Sequence, residues 1–220
     1  MVFGLFGRRS GGDETPRGRG PLDLAIGHAV EIDTLGLEAD LAAGEPAMGP
    51  PRGGPFVVVA HGVARLDADT ELHRYYDDDH AMLQVMAPPG GGEGEVLDVS
   101  LYRPWDSVAP MTRSEWDGWT GPDGLIGQRR YDADGIAFER FWGEGEEKAP
   151  LVEFTEQVDD GEATRSIHQR CMLYSRPVGA GEEMLLLNIE RDIADHAAHE
   201  GGSIEFLIGY GLGPADIRKI

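Results

Sequence analysis

Residues 152–173 read VEFTEQVDDGEATRSIHQRCML, and this stretch decides the fold. Val152, Phe154 and Val158 share one face, while Glu153, Thr155 and Gln157 share the other. After Asp159-Asp160-Gly161, the residues Ile167, Gln169, Cys171 and Leu173 again recur at every second position. Successive side chains of a strand point to opposite faces, so a period of two marks half-buried strands. Asp and Gly accept the positive φ angles of tight turns, so the pair reads as a hairpin.

The same grammar extends outward. Leu97, Val99 and Leu101 alternate with polar residues, and so do Ile204, Phe206 and Ile208. Met184–Leu187 is continuously apolar and reads as a central strand. Asp134-Gly135 joins Arg129–Tyr131 to Ile136–Trp142. The run Asp77-Asp78-Asp79 falls between Leu72–Tyr76 and His80–Val85, at another hairpin tip. Helix is scarce. Thr112 with Glu115 three residues on is a capping box, and Gly121-Pro122 ends that helix. A short turn is expected over Pro214–Arg218. The expected fold is mainly β: roughly ten to twelve antiparallel strands in a sandwich or a partly closed barrel, with one or two short helices.

Length and charge bound the rest. The 220 residues suit one domain over 21–220, or two lobes dividing near Pro110. Residues 1–20 read as a basic, glycine-rich tail whose Phe3, Leu5 and Phe6 suit docking on a membrane interface or in a partner groove. A single cysteine, Cys171, excludes an intramolecular disulfide and fits a reducing cytoplasm. No apolar run approaches the ~20 residues that span a bilayer. Asp plus Glu is 40 against 19 Lys plus Arg, a formal charge of −21. Such a field repels nucleic acid and favours basic partners or cations.

Catalytic motifs are missing. There is no Gly-x-Ser-x-Gly elbow, no P-loop ending and no dinucleotide fingerprint, so no cofactor is implied and the reading leans away from an enzyme. Asp77, Asp78, Asp79 and His80 form the densest set of potential ligands, but adjacent strand residues diverge and the EF-hand layout is missing, so they read as a solvated turn rather than a metal site. His196 and His199 lack the zincin spacing and read as a polar loop. Trp116 and Trp119 share a helix face; tryptophans there anchor either a partner surface or a core.

A resemblance adds context. Gly4-Leu5-Phe6-Gly7-Arg8, Pro21–Gly27, Leu72–Asp79, Leu83-Gln84-Val85, Asp106-Ser107-Val108, Glu115-Trp116, Gly124–Gly127, Phe141-Trp142-Gly143 and Met172-Leu173-Tyr174 occur in order. Together they are similar to the YjfK-like family of uncharacterised bacterial proteins. The resemblance implies no catalytic residues. It implies a gene neighbourhood holding a phage-shock-protein-A-like membrane-remodelling protein and an enzyme resembling glutathionylspermidine synthetase. It thus points to envelope stress or polyamine chemistry, at or near the inner membrane. The histidines of the 192–202 loop depart from the family pattern. Two functions stay open: a non-catalytic adaptor for a basic or membrane-associated partner, or a protein that binds a cationic small molecule such as a polyamine, using Asp77–Asp79 and the tryptophans.

Overall fold

The computed structural model describes residues 20–49, 51, 53–90, 95–193 and 202–220. Phe3, Leu5 and Phe6, and His196 with His199, lie outside the described residues. Thirteen strands and two α-helices are present among the described residues: β1 (Ala29–Ile32), α1 (Leu35–Leu41), β2 (Gly54–Val57), β3 (Ala60–Arg65), β4 (Glu71–Tyr76), β5 (Met82–Ala87), β6 (Asp98–Val108), α2 (Arg113–Thr120), β7 (Arg130–Ala133), β8 (Ile136–Arg140), β9 (Val152–Asp159), β10 (Thr164–Val178), β11 (Gly181–Asp192), β12 (Ser203–Gly211) and β13 (Ile217–Lys219).

Eight of these strands form a closed antiparallel barrel. Their order runs β11-β12-β6-β5-β4-β3-β9-β10, and a further pairing of β10 with β11 joins the ends. Closure removes the exposed edges that an open sheet would offer to other chains. Of the two packings left open by the alternation, the barrel is the one formed. It takes β3–β6 from before Pro110 and β9–β12 from after it. The stretch that decided the fold forms β9 and β10, paired from Thr164↔Asp159 to Cys171↔Val152. Opposite β12, the ladder of β6 slips between Phe206 and Leu207, which face Asp106 and Pro104. Pro104 has no N–H to give, and a bulge that leaves Trp105 unpaired absorbs the defect.

Two outer layers cover the barrel. On one side a small sheet, β13-β1-β2, packs Val30, Ile32 and Phe56 against Tyr75, Leu83, Val85 and Leu101 of β4–β6. On the other, α2, α1 and the β7–β8 hairpin pack over Met172, Leu187, Ile189, Ile204 and Phe206 of β10–β12. Residues at odd and even positions of the barrel strands thus feed two distinct cores, one outside the wall and one within it.

The expected helix is capped as its sequence requires. Thr112 Oγ1 accepts from the Glu115 N–H (3.2 Å), and Glu115 accepts from the Thr112 N–H (2.9 Å). Asp134 and Gly135 turn the β7–β8 hairpin with φ of 52° and 85°. Pro214–Asp216 is a single 3-10 turn, and the chain beyond it becomes β13 rather than more turn.

Candidate functional site

Inside the barrel the register brings polar side chains together. Arg74 of β4, Glu156 of β9 and Gln169 of β10 are all buried. Arg74 Nη1 donates to Glu156 Oε2 at 3.1 Å, and Arg74 Nε donates to Gln84 Oε1 at 3.1 Å. Tyr76 Oη donates to Glu156 Oε1 at 2.8 Å, and Gln169 Nε2 donates to Oε2 at 2.9 Å. The Glu156 carboxylate therefore has one cation and two neutral donors, the condition under which a buried charge survives. An eight-stranded barrel is just wide enough for side chains to fill. Space is so short here that a Cβ on Gly62 would lie 1.7 Å from Glu156 Oε1, and one on Gly209 2.3 Å from the Tyr102 ring.

A second group continues the network. Cys171 Sγ donates to Asn188 Oδ1 (2.8 Å), and Asn188 Nδ2 donates to Glu190 Oε1 (2.7 Å). Burial, with Glu156 and Glu205 nearby, pushes the Glu190 carboxyl up to about 7. Burial pushes the Cys171 thiol up to about 11, so at neutral pH it is a thiol and not a nucleophilic thiolate. The lumen is thus a packed core in which polar side chains meet one another and burial holds the Glu190 carboxyl up toward neutral pH.

At one end of the barrel two acidic turns lie near each other. The β4–β5 turn carries Asp77, Asp78 and Asp79, while Asp159 ends β9 and the turn after it carries Asp160 and Glu162. β3 lies between them, with Ala60 opposite Tyr76 and His61 opposite Asp159, so both turns emerge at the same end. Asp77 Oδ1 is committed to the backbone, accepting from the Asp79 N–H (3.0 Å) and the Ala81 N–H (2.7 Å). Asp78, Asp79 and Glu162 are exposed. Burial works against Asp160, but the N–H groups of Ala163 and Glu162 and the Arg165 guanidinium hold its carboxyl below the usual range. Among the described residues no group of three or more His, Cys, Asp or Glu side chains is arranged to hold a metal ion.

Trp116 and Trp119 sit elsewhere. Both pack on the outer core over β11 and β12, and Trp119 meets Phe206 edge-on at 5.8 Å. In the strand order β11 and β4 are opposite one another around the barrel, so the acidic tip and the tryptophans do not share a site. The sequence reading passed over Arg74, Glu156 and Glu190. The signal was present: Glu156 breaks the apolar face of Val152, Phe154 and Val158, and an inward charge demands a partner. Arg140 was also passed over. Its guanidinium donates to the carbonyls of Gly127, Gly143, Gly145 and Glu147, and so binds the 141–149 loop to the β7–β8 hairpin.

These features define a closed β-barrel with a filled interior, charged turns at one end and helices docked on its wall. The chain belongs to the family described as "Protein of unknown function (DUF2491)", which it matches over residues 5–218. No curated protein and no solved structure matches it.

Proposed function

We propose that this chain is a non-catalytic binding protein, an adaptor that meets a basic protein partner through the acidic end of its barrel. The observation that carries the reading is the placement of the Asp77–Asp79 and Asp159–Glu162 turns on either side of β3, in a chain of net charge −21. Like charges gathered on one rim focus a field that speeds and orients encounter with a cationic surface. The filled lumen supports a non-catalytic role, because most of its polar groups are spent on one another, with Gln169 Oε1 and Glu205 Oε2 the exceptions among the described residues. The similarity to the YjfK-like family supports an envelope-stress setting with a phage-shock-protein-A-like partner, in the cytoplasm and peripheral to the inner membrane. Phe3, Leu5 and Phe6 would then supply a second, apolar contact. A cationic small molecule such as a polyamine finds only half of its site here, since the carboxylates of Asp77–Asp79 are not joined by Trp116 and Trp119.

The test is affinity capture of the native-level protein from its own cells, beside the variant Asp78→Asn/Asp79→Asn/Glu162→Gln. The reading expects a basic or membrane-associated protein with the wild type and its loss with the variant. Equal recovery by both would remove the acidic end from the account.

A further inference from the structure

A pocket of about 420 Å³ lies on the opposite wall from the acidic β4–β5 tip, between α2 and the outer face of β10 and β11. Its size is that of a small-molecule site. Its lining sets three arginines and a histidine beside two glutamates, Glu153 and Glu190, a basic balance in an acidic chain. Arg113 and Trp116 line it from α2, His168 and Arg170 from β10, and Arg191 from β11. Arg170 is already engaged, its Nε donating to Glu153 Oε1 at 2.9 Å. Arg113 and Arg191 are exposed and have no ion pair or hydrogen bond among the described residues. Glu190 also borders the pocket, but its Oε1 is held by Asn188 inside the barrel wall.

Two features suit the pocket to a particular chemistry. The indole Nε1 of Trp116 is buried and has no acceptor among the described residues. A buried donor left without a partner is costly, and an incoming acceptor oxygen would satisfy it. Ile189, a buried residue, and the tryptophan ring itself supply apolar surface beside the guanidinium groups. Guanidinium forks match the oxygens of carboxylate and phosphate.

We propose that this pocket binds a small organic anion, a carboxylate or phosphate carried on a flat apolar body. The anionic head is recognised by Arg113 and Arg191 and accepts from Trp116 Nε1, and the body lies against Ile189 and the indole. The proposal is independent of the acidic barrel end: that surface selects cations, this one anions, and either can fail alone.

The experiment titrates the protein with 2-naphthoate, with 2-naphthyl phosphate and with the cationic isostere 2-naphthylmethylammonium. Binding is followed at the indole ¹⁵N–H resonances, with Trp116 assigned from Trp116→Phe. The expected result is a shift of the Trp116 signal with one or both anions and none with the ammonium compound, the tighter anion naming the head group. In Arg113→Gln/Arg191→Gln the anion affinity should fall roughly tenfold or more while the melting temperature holds, since both arginines are exposed. Equal binding of the ammonium probe, unchanged affinity in the double variant, or no movement of the Trp116 signal at millimolar anion would overturn the proposal.

Discussion

Arg74 and Glu156 form a buried pair whose side chains are almost wholly shielded from water. Removing one partner leaves the other charged and dry, at a cost of about 3–5 kcal/mol. Replacing both with apolar groups removes the penalty together with the attraction. Urea denaturation should therefore show Glu156→Ala and Arg74→Met each strongly destabilised, and Arg74→Met/Glu156→Leu closer to wild type than either. Additive losses in the double variant would mean the pair is not the unit it appears in the barrel. Glu190 gives a pH signature. Its folded value of about 7 lies above the ordinary carboxylate value of 4.5. The protonated form is thus favoured by folding. The associated stability is complete below about pH 4.5 and is lost as pH rises through about 7. Glu190→Gln should raise the melting temperature at pH 8 and change it little at pH 5. Burial and the neighbouring His73 lower His61 from 6.5 to about 4, which gives the opposite trend: stability present above 6.5 and lost toward 4. Comparing variant with wild type at each pH cancels that background. These groups were readable in part: Glu156 and Gln169 stand at inward positions of alternating strands. Which partner each would meet was not readable, because Arg74 and Glu156 are 82 residues apart.

Among the elements, α2 is the one whose start the sequence states most directly. Its capping box satisfies two backbone N–H groups at the helix end. Thr112→Ala should cost about 1 kcal/mol, measured as a lower urea midpoint with an unchanged slope. Because α2 forms one wall of the anion pocket, the same change should also loosen that wall. Hairpins and long alternating strands were equally legible, since their signals are local. The small outer sheet was not. β13 is a three-residue strand that ladders with β1, Val30 facing Lys219 across most of the chain. Nothing near Ile217 announces such a partner. α1 escaped notice for a related reason: seven residues with one buried side chain, Leu41, make too weak a periodic signal.

For the whole molecule, barrel closure is the feature that alternation alone left open. The seam between β3 and β9 is short, three residue pairs from His61↔Asp159 to Val63↔Gln157. It holds because Gly62 lets Glu156 lie against the β3 backbone while Arg74, opposite Gly62 on β4, reaches the same carboxylate. Gly62→Ala adds a methyl group where a carboxylate is fixed by three donors, and should cost about 1–3 kcal/mol or more by thermal melting. A neutral effect would show that the lumen has slack. Closure also gathers distant acidic turns at one end, a grouping invisible in the linear sequence, where Asp77–Asp79 and Asp159–Glu162 are far apart. The central claim is that this end recognises positive charge. Calorimetric titration with a lysine- and arginine-rich peptide, at about 10 mM and about 150 mM salt, tests it most directly, because the screening length falls from about 30 Å to about 8 Å between them. The account predicts binding that weakens sharply with salt and is lost in Asp78→Asn/Asp79→Asn/Glu162→Gln. Binding indifferent to both salt and variant, or no heat at either salt, would contradict it.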